Sequence, residues 1–137
     1  MDDQNFNIDA AMIILKYSVK LINSQDICDT AQNGLQAFEK VVENVKKNNE
    51  TMTTYDLILM DCNMPIMDGY ESADKIRRYL QSLGIGQPVI LAVTGHTENH
   101  YVKRAIDCGM NQVFSKPLRG ELLKAILSMI GFLEKPN

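Results

Sequence analysis

Several side chains of the kinds that handle phosphate and metal ions stand where runs of apolar residues stop. Asp61 follows Leu57, Ile58, Leu59 and Met60; Thr94 follows Pro88–Val93, reading PVILAV. Lys116 follows the short stretch Met110–Ser115, which has Val113 and Phe114 at its centre. Asp2 and Asp3 lie just ahead of the first helical pattern, where another strand would have ended. In open parallel sheets, ligands bind outside the carboxyl ends of the strands. Carboxylates, a hydroxyl and an ammonium are therefore expected to converge on one rim. Hard oxygen ligands suit Mg²⁺, which binds through one or two carboxylates and keeps waters for a phosphate. A lysine opposite would offset phosphate charge as a point cation, and a threonine hydroxyl would hydrogen-bond a phosphoryl oxygen. An aspartate can itself be the nucleophile and form an acyl phosphate. The constellation reads as phosphoryl transfer onto Asp61.

The elements that must hold these groups are read from periodicity. The stretch Asp56–Gly69, DLILMDCNMPIMDG, contains a continuous apolar run, which suits a parallel strand buried on both faces. Pro65 cannot continue a ladder and Gly69 tolerates unusual backbone angles, so a shaped loop should follow Asp61. Ile8, Met12, Leu15 and Val19 fall at helical spacing, with Ala11 and Ile22 beside them, and predict a helix from about Asn5 to Ile22. Gln25–Ala31 is a weak strand, punctuated by Asn33–Gly34. Leu35, Phe38, Val41, Val42 and Val45 mark a second helix. Lys46–Thr54, KKNNETMTT, reads as a polar loop suited to disorder or insertion. Asp68 with Glu71 starts another helix, whose inner face is Ala73, Ile76 and Leu80. After the PVILAV strand, Thr97 would cap a helix that Gly109 ends. Leu122, Leu123, Ile126, Leu127 and Ile130 mark a last helix. Helices and strands that alternate in this way predict an α/β fold with a parallel sheet covered on both faces.

Composition narrows the function. A chain of 137 residues reads as one domain spanning 1–137, and its 45% hydrophobic content supports a real core. A net charge of −3 argues against direct nucleic-acid binding. The one basic pair, Arg77–Arg78, reads as a solvated helix face. No apolar run is long enough to cross a bilayer, so no membrane contact is expected of this segment. The N-terminus is acidic and polar rather than a signal peptide. Cys28, Cys62 and Cys108 lack paired or metal-type spacing and read as reduced thiols in a cytoplasmic setting.

The segments DDQNFN (2–7), NGLQAFE (33–39), DLILMDCNMPIMDGYE (56–71), VTGH (93–96) and GMNQVFSKP (109–117) occur in an order that carries a resemblance. With them the chain resembles the receiver domain of two-component response regulators, particularly receivers attached to hybrid histidine kinases. The resemblance implies a flavodoxin-like, doubly wound sheet in strand order 2-1-3-4-5. It implies that Asp61 accepts phosphate from a phosphohistidine, with a histidine kinase or a histidine phosphotransfer protein as partner. Asp3 and Asp61 would bind Mg²⁺ directly with the backbone carbonyl of Asn63, and Asp2 would act through water. Thr94 would be the switch hydroxyl, and Lys116 the phosphate contact before Pro117. His96 takes a position that tunes dephosphorylation in receivers, or is simply a loop residue facing solvent. Such a domain is not an enzyme acting on other substrates; it assists only its own phosphorylation and dephosphorylation.

This sequence departs from the family pattern at three places. The strand that should precede Asp2 is missing, with only Met1 left of it. That reads as a fragment of a longer protein or a late start. It would leave a gap whose exposed edge invites another chain, as in a strand-exchange dimer. The usual aromatic switch residue falls at Val113, with Phe114 or Tyr101 as the available substitutes. Gln4 stands where Asn is common. The competing reading is a receiver-like interaction module that takes no phosphate. A phosphatase is disfavoured by Asn63, where such enzymes carry a second acid, and a flavodoxin by the absence of a loop rich in Ser, Thr and Gly.

Overall fold

The computed structural model describes residues 19–22, 28–62, 66–95 and 98–115. In chain order these form β1 (Val19–Ile22), β2 (Cys28–Ala31), α1 (Gly34–Lys47), β3 (Leu57–Asp61), α2 (Gly69–Ser82), β4 (Val89–Thr94), α3 (Asn99–Asp107) and β5 (Gln112–Ser115). The strands make one sheet in the order β2-β1-β3-β4-β5. Strands β3, β4 and β5 are parallel, whereas β1 runs antiparallel to both β2 and β3. The sheet is therefore mixed, not wholly parallel.

Strand β1 corrects two expectations. Residues 19–22 are strand where the periodicity predicts the end of a helix; the rest of that helix lies outside the described residues. Val19 and Ile22 fit either element, because i and i+3 share a helix face while Val and Ile also favour strands. The sheet decides between them. Leu57–Met60 would otherwise present unpaired backbone groups in the interior, at a cost of about 1–3 kcal/mol each. Val19 pairs with Met60 and Ala31, and Ile22 with Leu57 and Cys28, so both neighbours of β1 are satisfied. The gap expected beside β3 is thus filled by the chain's own residues, which removes the reason for a strand-exchange dimer. The antiparallel direction follows from chain length. Only residues 23–27 separate β1 from its neighbour β2, and a parallel crossover needs a dozen or more.

Both faces of the sheet are buried, as the apolar runs imply. Val19, Leu21, Ile58, Met60, Ile90 and Ala92 join Val41, Val45, Ile76 and Leu80 of the helices in one core. The alternate residues Ile22, Leu57, Leu59, Leu91 and Val93 are buried as well.

The polar stretch after α1 is tied down rather than loose. The Asn44 side-chain amide donates to Thr54 Oγ1 (2.7 Å), and Asn44 Oδ1 accepts from Thr53 Oγ1 (2.6 Å) and from the Thr54 N–H (2.9 Å). Asn49 and Glu50 take the left-handed angles that end the helix, with φ of 59° and 61°. A composition-based reading cannot see that one amide inside α1 satisfies both sides of this turn.

Candidate functional site

Asp61 ends β3 and Thr94 ends the adjacent parallel strand β4; both are fully buried. Asp61 stands opposite Val93, so Thr94 lies one residue further along the same rim. Thr94 in turn stands opposite Ser115, the last residue of β5, so the chain leaves β5 at that rim too. The structure brings Asp61 and Thr94 together as expected. Asp2, Asp3, Asn63, His96 and Lys116 lie outside the described residues. The strand occupying the slot beside β3 is β1, and Val19 faces Met60 at the Asp61 end. β1 thus runs opposite to the parallel strand that the family resemblance implies for that slot.

The loop after Asp61 is built by close backbone approach. The Cys62 N–H donates to the Val93 carbonyl (3.1 Å), extending the ladder one residue past Asp61. The Cys62 carbonyl accepts from the Gly69 N–H (3.3 Å), which folds the loop back on itself. Gly69 has no room for a side chain: a Cβ there would lie 2.8 Å from the Asp61 carbonyl oxygen. Asp68 caps α2 as its sequence signature implies, its carboxylate accepting from the Glu71 N–H (2.9 Å). Ile66 is held at φ +70° while 80% exposed. A β-branched residue in that region costs on the order of 1–3 kcal/mol, and strain of this kind gathers at functional loops. Met67 is buried loop packing, as its apolar character suggests.

A second tier fixes Cys62. Its thiol is buried and hydrogen-bonded to the Tyr70 hydroxyl. Arg104 of α3 lies over the Tyr70 ring, 4.2 Å from its centroid, and sits 3.6 Å from the Asp68 carboxylate. The residue after Asp61 is thereby connected to α2 and, through Tyr70, to α3. Sequence reasoning passed over Tyr70 and Arg104 because an aromatic in a helix and a lone basic residue look ordinary until the helices are placed. Burial is the main cause that pushes the Tyr70 phenol well above its usual range; the Cys62 thiol adds to this, and Arg104 opposes it. A folded-state pKa above the unfolded value stabilises fully below the unfolded pKa, about 10, and that contribution is lost as pH rises beyond it. Thermal unfolding of wild type and Tyr70→Phe from pH 8 to 11 checks this. Wild type is expected to lose stability above about pH 10 more steeply than the variant.

The remaining sequence candidates sort plainly. His100 is exposed, its ring tilted 38° to that of Tyr101 with centroids 4.2 Å apart. Val113, Phe114 and Tyr101 are half-buried. Helix α3 starts at Glu98 without a side-chain cap bond. Cys108 is half-buried, and burial pushes its thiol pKa up. Among the described residues, no three His, Cys, Asp or Glu side chains gather closely enough to hold a metal ion. The described part of the expected Mg²⁺ set is the Asp61 carboxylate, a buried hard-oxygen donor of the type Mg²⁺ takes.

A buried acid and a hydroxyl at neighbouring carboxyl ends of a 2-1-3-4-5 sheet define a receiver-like α/β protein. The family model described as the response regulator receiver domain matches residues 2–128, and the chain belongs to that family. A two-component response regulator of Oryza sativa subsp. japonica, ORR41, is 30% identical over 128 residues, covering 93% of this chain and 88% of that protein. Probable histidine kinase 2 of Oryza sativa subsp. indica is 32% identical over 126 residues, covering 87% of this chain but only 12% of the kinase. The chain thus spans about an eighth of the kinase it matches. The receiver domain of the histidine kinase CKI1 from Arabidopsis thaliana, solved with Mg²⁺ and BeF₃⁻, superposes with a TM-score of 0.61. It is 31% identical, with 72% of this chain and 70% of that chain covered. The fold is a receiver fold in strand order 2-1-3-4-5, and the family is one of two-component and phosphorelay signalling domains.

Proposed function

We propose that this receiver takes a phosphoryl group from a phosphohistidine onto Asp61, and that the histidine belongs to a histidine kinase or a histidine phosphotransfer protein. The observation that carries this is the fully buried Asp61 at the end of β3, beside the buried Thr94 at the end of β4, in a chain of the receiver family. In the step, an Asp61 carboxylate oxygen attacks phosphorus. The new P–O bond forms as the P–N bond to the imidazole breaks, and the imidazole leaves with the bonding pair. Mg²⁺, which the solved CKI1 receiver holds, would be bound by Asp3, Asp61 and the Asn63 carbonyl, with Asp2 acting through water. When bound it neutralises charge on the transferring oxygens. Lys116 pairs with a phosphoryl oxygen, and the Thr94 hydroxyl donates to another once the group is on Asp61. That contact exists only in the phosphorylated state, so it supplies the differential interaction a switch requires. Water attack on the acyl phosphate resets it; the domain turns over no external substrate. We read residues 1–137 as one receiver domain working in the cytoplasm, in keeping with its thiol-containing Cys62 and Cys108.

The test is transfer from a purified, labelled phosphohistidine protein. Label is expected to move to the wild-type chain when Mg²⁺ is present, and not to Asp61→Asn. Thr94→Ala is expected to accept label yet lose the phosphorylation-dependent change in partner affinity. Label that still moves to Asp61→Asn would place the acceptor elsewhere.

A further inference from the structure

Helix α1 carries more apolar surface than the sheet buries. Ala37, Val41 and Val45 enter the core completely. Phe38 and Val42, which belong to the same expected inner face, stay half-buried, with Phe38 edge-on to Tyr79 of α2 at 5.9 Å between ring centroids. Along them runs a shallow groove of about 470 Å³ lined by Phe38, Glu39, Val42, Glu43, Lys46 and Lys47. Residues four apart share a helix face, so these form two ridges, 38-42-46 and 39-43-47. The acids lie toward the N-terminal end of the groove and the bases at its C-terminal end.

That order complements itself only when reversed. We propose that α1 pairs with α1 of a second copy of this chain, antiparallel and about a two-fold axis between Val42 and Glu43. Position 39 then falls opposite 46, and position 38 opposite 47. Glu39 meets Lys46 of the second copy, and Lys47 of each copy lies over Phe38 of the other as a cation over an aromatic face. Val42 and Glu43 flank the axis: Val42 of each copy desolvates apolar surface there, while Glu43 keeps Lys47 of its own helix as its partner. A parallel arrangement would instead set acid against acid. An isologous two-fold contact uses one patch twice, the commonest plan for soluble dimers. A 14-residue helix is only about 21 Å long, so the contact is small and the dimer concentration-dependent. This pairing does not depend on phosphate acceptance at Asp61.

Charge reversal tests it without touching the core. The exchanged side chains are exposed, and the Glu43–Lys47 pair within the helix is a 4.0 Å surface contact. Sedimentation velocity of the full chain from about 10 µM to about 1 mM is expected to show wild type shifting to dimer. The double variants E39K/E43K and K46E/K47E, confirmed as folded by thermal melts, are each expected to associate at least tenfold more weakly. Mixed one to one, they are expected to recover association, because a groove with four basic residues then faces one with four acidic residues; a folding defect cannot produce that recovery. Wild type that stays monomeric to about 1 mM, a dimer that both reversed variants retain, or a mixture no more associated than its components overturns the proposal.

Discussion

Replacing Gly34 with alanine is expected to destabilise the protein by about 2–4 kcal/mol, although it adds one methyl group at the start of a helix. Alanine normally favours helices, so the sign of this effect comes from packing. Gly34 is the first residue of α1, and its N–H donates to the Met67 carbonyl (2.8 Å). Its own carbonyl accepts from the buried Ser72 hydroxyl (2.8 Å). A Cβ there would overlap Met67 O and lie 2.8 Å from Asp68 O. Those are backbone atoms, so no side-chain rotamer relieves the clash. Either α1 or the loop entering α2 must move, and that loop begins at Asp61. A fall in melting temperature on the order of 10 °C is expected, together with weaker phosphate acceptance. Gly86→Ala is the control: a Cβ there meets nothing within 4 Å, and its stability should stay within about 0.5 kcal/mol of wild type.

Arg77→Ala is expected to cost about 2–4 kcal/mol, far more than a solvated arginine would. The Arg77 guanidinium donates to Gly109 O (2.7 Å), Pro88 O (2.7 Å), Gln87 Oε1 (3.0 Å) and Asn111 Oδ1 (2.8 Å). Burial lowers its pKa, yet an arginine stays charged at any working pH. Asn111 Oδ1 also accepts from the Ile90 N–H (2.7 Å), and the Asn111 N–H donates to Ile90 O (2.7 Å). One side chain thus joins α2, the start of β4 and the turn between α3 and β5. Losing it strands carbonyls in a half-buried seam. Arg77→Lys should recover less than half the loss, because an ammonium cannot span the same acceptors. Urea unfolding of the two variants, with Arg78→Ala as comparison, checks this. Among the described residues Arg78 makes only an exposed pair with Asp74, and its removal should cost less than about 0.5 kcal/mol.

These two residues show where the sequence was readable and where it was not. The run Leu57–Asp61 was legible as a strand buried on both faces because every position is apolar until the acid. Asp68 was legible as a cap because the acceptor and the donor lie three residues apart. Information of that kind is local. Asn33 and Gly34 looked like one turn signal, but they act separately. Asn33 caps α1 through the Gln36 N–H, while Gly34 admits the carbonyl of a residue far along the chain. Arg77 and Arg78 are neighbours of one type, and only the position of the α3–β5 turn separates a clamp from a solvated charge. Residues 19–22 fit a helix locally, and the unpaired edge of β3 made them a strand. The positions of Asp61 and Thr94 at neighbouring strand ends were legible, since each ends a continuous apolar run. Tyr70, Ser72 and Arg104 left no signal because their partners come from other elements.

The most direct measurement of Asp61 as phosphoacceptor is intact mass after incubation with acetyl phosphate, with and without Mg²⁺, for wild type and Asp61→Asn. A gain of one phosphoryl group that requires both Mg²⁺ and Asp61 is the expected result, and it would show that a sheet with a reversed β1 still assembles a working acceptor. No gain, a gain indifferent to Mg²⁺, or a gain retained by Asp61→Asn would contradict it.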